Sequence, residues 1–274
     1  MSEFEILCVT MGQKDFSKIK EMNIQSDIIM ANQTDSVGEE IIKFDGHHCK
    51  MISTTMRGVG NNRNTALMYA EGEICLMADD DMRYCDDYAI RIQEEFKNHP
   101  EADVIIFNIK TSTPEYGRIP TQIKKFKKFH VWSRNPYGAP RIAFRLNKVK
   151  KKNICFSTYF GGGCIFKSGE DTIWLEQLRK AGLKIYMSPV YIGDVSYQCT
   201  TSFTEDIREK LYTKGAMFEA EKSILMYPKL MYDIFFRKNK DISIYEKYKL
   251  INAGRLGYRN LVSYNQYEAA IQRR

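Results

Sequence analysis

Three consecutive aspartates, Asp79, Asp80 and Asp81, directly follow a short apolar run at 74–78. The run predicts a buried strand, and ligands of open α/β sheets bind at the carboxyl ends of strands. Two carboxylates about 4 Å apart repel by about 4 kcal/mol at an effective dielectric constant near 20, so water, a proton or a cation must relieve the repulsion. Oxygen ligands suit Mg²⁺ or Mn²⁺, which substrate phosphates usually complete. The pattern therefore predicts either a metal–phosphate site or a solvated acidic turn.

A second acidic pair, Glu170 and Asp171, precedes an apolar pattern at 173–181 that predicts an amphipathic helix. Asp171 and Thr172 fall at the helix start, so they could simply form an ordinary N-cap. Alternatively, both carboxylates face a cleft and take part in chemistry. Upstream, Gly162 and Gly163 belong to a triple-glycine segment between β-forming residues at 156–166. This pattern predicts a glycine-rich strand whose backbone approaches a ligand closely.

Candidate nucleotide contacts follow the first predicted strands. Glycines at 58 and 60 precede Arg63 and a helical pattern, and a helix N-terminus with an added positive charge suits a diphosphate. Thr10 and Gly12 end the first predicted strand. Asn32 and Asp35 bound a polar loop after the second, which either hydrogen-bonds a base or ribose or is an ordinary turn.

The elements that would position these residues alternate along the chain, which predicts an α/β fold with a parallel sheet and right-handed crossovers. Strands are predicted at 5–10, 28–31, 50–54, 74–78, 103–109 and 184–187, and helices at 15–22, around 66–70, and at 86–98, 173–181 and 206–220. From about residue 205 the chain becomes helical and rich in Tyr, Phe, Met and Lys. We therefore expect a catalytic domain at 1–204 and a helical extension at 205–274.

Composition restricts the class of protein. With 274 residues, 43% of them hydrophobic, and a net charge of +7, the chain is an ordinary globular protein that favours anionic partners. Seven scattered cysteines without a C-x-x-C pair favour a reducing cytoplasm over a disulfide framework or a zinc site. No apolar run approaches the ~20 residues of a membrane span. The segment 225–238 is apolar with basic flanks, so it is either a helix packed on its own domain or a peripheral contact with the inner face of the membrane.

A basic tract at 118–152 lies within a stretch, 116–169, that contains no Asp or Glu and interleaves aromatic residues with Lys and Arg. It could bind nucleic acid, close as a lid over a negatively charged donor, dock on anionic lipid, or be an ordinary basic surface. A nucleic-acid-binding protein would leave both acidic clusters without a role, so we expect no nucleic acid partner. A sugar nucleotidyltransferase should carry a glycine-rich basic loop after its first strand, and 10–14 is too short and too poor in glycine.

Taken together, the motifs resemble the family 2 glycosyltransferases of the GT-A fold. An N-terminal βα unit, G-x-x-x-N-R-N-x-A, an apolar strand ending in D-D-D, a glycine-rich segment and G-E-D-T before a helix occur in this order. The resemblance covers roughly residues 4–202. It implies a Rossmann-like, mostly parallel mixed sheet, and a metal-dependent, inverting transfer of a sugar from a nucleotide-diphosphate donor, commonly a UDP-sugar, to a glycan or lipid-linked acceptor. Synthesis of a surface polysaccharide fits the family's habit.

The resemblance also implies roles for the candidate residues. Asp171 would be the general base, with Glu170 as its neighbour, and Asp81 would bind Mn²⁺ or Mg²⁺ directly with help from Asp79. The nucleotide-sugar would contact residues of the first half and of the glycine-rich segment: Thr10, Gly12, Asn32, Asp35, Arg63, Asp79, Asp80, Gly162 and Gly163. The chain departs from the family pattern at Asn32, where Asp is common, and at 197–198, where a histidine often occurs.

Overall fold

The computed structural model of the chain describes residues 3–113, 119–130, 137–196, 206–222, 226–236 and 242–273. Within these ranges it contains one ten-stranded sheet and nine α-helices. The strands are β1 (Phe4–Met11), β2 (Asp27–Gln33), β3 (Gly38–Phe44), β4 (His47–Thr54), β5 (Ile74–Asp79), β6 (Met82–Tyr84), β7 (Val104–Thr111), β8 (Lys127–Lys128), β9 (Ile142–Arg145) and β10 (Ile185–Val195). The helices are α1 (Ser17–Glu21), α2 (Val59–Tyr69), α3 (Tyr88–Asn98), α4 (Leu146–Lys150), α5 (Glu170–Lys180), α6 (Ile207–Glu221), α7 (Met226–Phe235), α8 (Ile244–Asn260) and α9 (Tyr264–Gln272).

The sheet is mixed, and its long central strands are mostly parallel. The strand order is β3-β4-β2-β1-β5-β9-β7-β10-β6, with β8 paired to β10. The neighbours β4, β2, β1 and β5 all run parallel, as do β7 and β10. The carboxyl ends of β1, β2, β4 and β5 therefore meet at one edge of the sheet. The predicted α/β class and the parallel pairing of the N-terminal strands are confirmed.

Alternate side chains of the strands enter two cores because successive residues of a strand point to opposite faces. On β1, Ile6 and Cys8 pack with α1 and α3, whereas Leu7 packs with α2, α4 and α5. Both cores contain fully buried aliphatic side chains of β5 and β7 as well. Helices thus cover both faces of the sheet, which explains the nearly continuous apolar runs of the central strands.

The C-terminal helices pack on the glycine-rich segment and on α5. A third core joins Phe160, Phe166 and Ile173 to apolar residues of α6, α8 and α9. Helices α6 and α8 approach closely through glycines: a Cβ at Gly254 would lie 1.9 Å from the carbonyl oxygen of Tyr212. In the part of the chain that the structure describes, no helix combines the length and the hydropathy of a membrane span.

The structure differs from the predicted elements at several places. The segment 156–166 is not a strand: it consists of turns with one bridge between Phe160 and Phe166, because Gly161 (φ +104°) and Gly163 (φ +76°) are incompatible with extended backbone. The predicted strand at 50–54 begins at 47, since it forms a hairpin with the unpredicted, largely exposed β3. The connecting Asp-Gly turn at 45–46, with positive φ at both residues, is a known hairpin signal. Strand β9 inserts antiparallel between β5 and β7, which the sequence did not predict.

The described part of the basic tract uses several of its residues inside the protein. Phe126 stacks between His99 and Tyr186, with ring centroids 3.5 and 5.2 Å away. The buried Arg141 donates to the carbonyl oxygens of residues 107 and 121. Residues 118 and 131–136 of the tract lie outside the described ranges. So do residues 197–198, where the chain departs from the family pattern. In the described part of the tract the lysines are exposed, whereas the ring of Phe126 contributes to packing.

Candidate active site

The polar residues predicted after different strands meet at one edge of the sheet. In the parallel registers Thr10 lies beside Asn32, and Asp79 lies beside Val9, the residue before Thr10. The acidic cluster therefore borders the end of β1 directly. Its three aspartates are all partly exposed, and the hydroxyl group of Thr10 donates to Asp80 Oδ2 at 2.5 Å. The apolar β5 delivers carboxylates to this edge, as its sequence predicts.

Arg63 occupies the centre of the site. Its side chain is only 4% exposed, and its guanidinium group contacts three carboxylates: Asp79 at 3.0 Å, Glu170 at 3.0 Å, and Asp171. The guanidinium also lies over the ring of Phe156, 5.4 Å from its centroid. Burial alone would lower the pKa of Arg63, but the three carboxylates outweigh burial and raise it. The sequence predicted Arg63 as a diphosphate ligand, and that role stays a prediction.

Asp171 lies in the first turn of α5, where the helix N-terminus favours negative charge. Its Oδ1 accepts from Arg63, and its Oδ2 accepts from the backbone N–H of Ala139 at 3.0 Å. Burial raises the pKa of Asp171 to about 7; the Arg63 charge opposes this, and the Glu170 and Asp79 charges add to it. A carboxyl group with a pKa near neutrality can both accept and release a proton at physiological pH.

Two asparagines that flank Arg63 tie the site together, and sequence analysis did not assign them roles. Asn62 donates to the carbonyl oxygen of Thr10 at 2.9 Å. Asn64 exchanges two hydrogen bonds with the backbone of Phe156, at 2.9 and 2.7 Å. The N-R-N motif thus links the end of β1 and the glycine-rich segment to the acidic residues. The run of polar side chains at the start of a helix was the sequence feature that could have indicated these roles.

The glycine-rich segment packs against the N-terminus of α2. A Cβ at Gly161 would lie 2.3 Å from the side chain of Val59 and 2.9 Å from the carboxyl group of Glu170. The backbone N–H of Val59 donates to the carbonyl oxygen of Gly162 at 2.9 Å. At Gly162 nothing would meet a Cβ within 4 Å, so this position is open to a ligand. The sequence predicted that the glycines approach a ligand closely. In the structure, the close approach of Gly161 is to protein atoms.

The predicted base-binding loop is ordered by its own side chains. Asn32 is buried; its Nδ2 donates to the carbonyl oxygen of Gln13 at 2.9 Å, and its Oδ1 accepts from the N–H of Gln13 at 3.0 Å. Gly12 (φ +68°) donates to the carbonyl oxygen of Gln33 at 3.0 Å. Asp35 is exposed and contacts Arg57. Asn32 therefore holds the loop after β1 in place, and Asp35 lies at its surface.

The donor set at the acidic cluster fits a divalent cation that a ligand completes. The described residues contain no group of three or more His, Cys, Asp or Glu side chains placed to hold a metal. Mg²⁺ in nucleotide sites is typically held by one or two carboxylates together with substrate phosphates. Asp79 is already engaged by Arg63 and Asp80 by Thr10, and Asp81 follows them in the same turn. A site of one or two aspartates completed by phosphates is consistent with this geometry.

Solved structures with the same fold include three forms of one protein. "Crystal structure of S. aureus TarS 1-349" matches with a TM-score of 0.58 and 16% identity, covering 92% of this chain and 79% of that one. "Crystal structure of S. aureus TarS 1-349 in complex with UDP-GlcNAc" gives a TM-score of 0.56, 15% identity, and coverage of 96% and 74%. "Crystal structure of S. aureus TarS" gives 0.55 and 14%, and this chain spans 44% of its length.

No curated protein sequence matches the chain significantly. The sequence profile of "Glycosyl transferase family 2", however, matches residues 28–168, just over half of the 274 residues. The match includes α2, the acidic cluster and the glycine-rich segment. The chain is therefore a glycosyltransferase enzyme with the GT-A fold and belongs to glycosyl transferase family 2.

Proposed function

We propose that the enzyme transfers a sugar from a nucleotide-diphosphate donor, with a UDP-sugar as first candidate, to a hydroxyl group of a glycan or lipid-linked acceptor. The reaction would invert the anomeric centre, depend on Mn²⁺ or Mg²⁺, and serve the synthesis of a surface polysaccharide. The observation that carries the proposal is the shared cluster in which Asp171 and the strand-end Asp79 contact the same guanidinium group. The structure of S. aureus TarS 1-349 in complex with UDP-GlcNAc supports the choice of donor.

On the acceptor side, Asp171 would act as general base. An acceptor hydroxyl group is a weak nucleophile until a base takes its proton, and a carboxylate with a pKa of about 7 is deprotonated often enough to do so at neutral pH. The acceptor oxygen bonds to the anomeric carbon as the bond to the diphosphate oxygen breaks, the proton passes to Asp171, and the electron pair leaves with the diphosphate. One displacement with one base inverts the centre; retention by double displacement would need a second carboxylate as nucleophile. Glu170 would keep Arg63 in place beside the base.

On the donor side, residues at the sheet edge would hold the nucleotide-sugar. Thr10, Gly12, Asn32 and Asp35 would form the part that faces the nucleoside. The remaining contacts proposed for the nucleotide-sugar come from residues around the cluster and from two glycines of the glycine-rich segment: Arg63, Asp79, Asp80, Gly162 and Gly163. The partly exposed aspartates and the space at Gly162 support these assignments.

Asp81 would bind the divalent cation directly, and Asp79 would assist. When bound, such a cation supplies Lewis-acid stabilisation of the negative charge that develops on the leaving diphosphate. The contact with Arg63 fixes the orientation of the Asp79 side chain, and the hydrogen bond from Thr10 fixes that of Asp80. Oxygen-only donors support Mg²⁺ or Mn²⁺ over softer metals.

We further propose that residues 1–204 form the catalytic domain and 205–274 a helical extension that contacts the cytoplasmic face of a membrane. Helix α7 exposes Met231, Tyr232 and Phe235, and Phe236 follows it. An apolar helical face with basic flanks is typical of segments that lie in a membrane interface. Sedimentation with anionic vesicles would test this contact.

The central experiment is the variant Asp171→Asn. It removes the base but keeps the shape of the side chain, so we expect transfer to fall by about 10²–10⁴-fold while binding of UDP-GlcNAc persists. Asp45→Asn is the matched control, since Asp45 is exposed in the β3–β4 turn. Transfer is measured as UDP release, and binding as a thermal shift with Mn²⁺ or with EDTA. Normal transfer by Asp171→Asn would refute the assignment of the base.

A further inference from the structure

A cleft of about 570 Å³ lies between the glycine-rich segment and the C-terminal ends of α6 and α8. Its walls come from three elements: Tyr159 precedes the glycines, Glu219 and Lys222 end α6, and Tyr258 and Arg259 end α8, with Leu261 beyond them. The volume is in the range of small-ligand sites, roughly 300–1,000 Å³. Tyr159 belongs to the glycine-rich segment, and the other five residues lie outside the candidate active site.

The cleft combines aromatic faces with hydrogen-bonding groups. Tyr159 is 40% exposed as a residue, and its ring meets that of Tyr258 edge-on, with centroids 6.4 Å apart. Glu219 accepts from Arg259 at 2.8 Å and from Arg255 at 3.3 Å. Both helices end at residues in the left-handed conformation, Lys222 and Leu261, whose N–H groups donate to carbonyl oxygens of the last turns. A carbonyl oxygen has two lone pairs, so one that accepts a single hydrogen bond can accept another.

This composition matches the chemistry of a carbohydrate. One face of a sugar ring presents C–H groups, which pack on the electron-rich face of an aromatic ring, while its hydroxyl groups both donate and accept hydrogen bonds. Carboxylate and carbonyl oxygens can accept from those hydroxyls, and a guanidinium group has five N–H donors, of which the contacts to Glu219 use only part. The lining carries both signs of charge: Glu219 and the negative ends of the two helix dipoles oppose the charges of Lys222 and Arg259, so the cleft is not built for a purely anionic ligand.

The cleft is mechanically connected to the proposed base. Phe160, the residue after Tyr159, stacks on Phe166 and packs on Tyr258, with centroids 4.9 and 5.7 Å away. The next residue, Gly161, lies against the carboxyl group of Glu170, so close that a Cβ there would be 2.9 Å from it. One short segment thus lines the cleft through Tyr159 and contacts the acidic pair of α5 through Gly161.

We propose that this cleft is an acceptor subsite that binds a sugar residue of a hydroxyl-rich, uncharged oligosaccharide chain while the chain end reaches Asp171. The proposal rests on the proposed function and specifies its acceptor as a glycan rather than a lipid headgroup alone. Tyr159 is the specificity-determining residue, because its exposed ring supplies the stacking surface.

The test measures binding of the purified full chain to an array of immobilised oligosaccharides that includes neutral and phosphorylated members. We expect the wild type to bind neutral oligosaccharides, and Tyr159→Ala to weaken that binding at least about tenfold, equivalent to about 1.4 kcal/mol. Lys222→Gly provides a second cleft variant that should fold well, since Lys222 has φ +44° and glycine is favoured there. Tyr245→Ala is the matched control: Tyr245 is exposed on the same helix, thirteen residues or roughly 20 Å from Tyr258.

Absence of binding to any array member, binding to phosphorylated members alone, or equal binding by wild type and Tyr159→Ala would each overturn the subsite. A thermal shift with UDP-GlcNAc, run on the same proteins, separates this proposal from the general one. If UDP-GlcNAc produces no thermal shift in the wild type, the result counts against the proposed function. If UDP-GlcNAc produces a thermal shift but the protein binds no oligosaccharide, the result counts against the subsite only.

Discussion

Replacing Arg63 with methionine tests the organisation of the whole site. The substitution keeps a long side chain but leaves Asp79, Glu170 and Asp171 without the guanidinium group that contacts all three. Removing one partner of a buried ion pair costs about 3–5 kcal/mol, because the remaining charge stays buried. For a chain of this size roughly 2–4 °C of melting temperature corresponds to 1 kcal/mol, so we expect a loss of roughly 6–20 °C.

The loss should depend on pH. Burial raises the pKa of Asp171 to about 7, well above its ordinary value of 3.8, so the stability that this group contributes is present below about pH 4 and is lost as the pH rises through about 7. Arg63 opposes that shift, and without it the pKa of Asp171 rises further. At about pH 5 Asp171 is protonated in both proteins, so the variant should lose less there than at about pH 8.

Differential scanning fluorimetry at about pH 5 and about pH 8 measures both effects. Arg57→Met is the control, because Arg57 pairs with Asp35 at the surface, where their side chains are 54% and 93% exposed. Exposed pairs contribute about 0–1 kcal/mol, so this control should change little at either pH. An Arg63→Met protein that melts within about 2 °C of wild type at both pH values would refute the central role of Arg63.

Three further predictions concern other parts of the molecule. Asp81→Ala should abolish the Mn²⁺-dependent thermal shift produced by UDP-GlcNAc, and a shift equal to wild type would exclude Asp81 as a metal ligand. The rate of transfer should fall as the pH decreases through about 7, because Asp171 must be deprotonated to act; a flat profile between about pH 5.5 and pH 8 would contradict this. Gly254→Ala should lower the free energy of unfolding by roughly 1–3 kcal/mol or more, because a Cβ there would lie 1.9 Å from a backbone oxygen of α6. Urea titration measures this change, and Gly38→Ala is the control. A Cβ at Gly38 meets nothing within 4 Å, so the free energy of unfolding should stay within about 0.5 kcal/mol of wild type.

Local patterns were enough to predict the central part of the fold. The apolar run at 74–78 is β5, and the acidic cluster begins at its last residue, Asp79. Helix α5 begins at Glu170, three residues before the predicted start, so the acidic pair forms its first turn. These predictions succeeded because burial on both faces makes a strand continuously apolar, and because helix periodicity is readable within a dozen residues.

Elements that depend on distant partners were not predictable in this way. Strand β3 is largely exposed and carries little apolar pattern, so only its turn marked it. Strand β9 owes its place to antiparallel pairing with β5 and β7, both distant in sequence. The glycine-rich segment resembled a strand in composition, yet the contact of Gly161 with Val59 and Glu170 requires positive φ.

By itself, the sequence determined which residue types could do chemistry and in what order they occur along alternating strands and helices. Only the tertiary structure decided that Arg63 contacts Asp79, Glu170 and Asp171, because those contacts span 16 to 108 residues of chain and depend on how α2 and α5 pack on the same face of the sheet. The pKa of Asp171 belongs to the same level, since burial and neighbouring charges arise only when these segments come together.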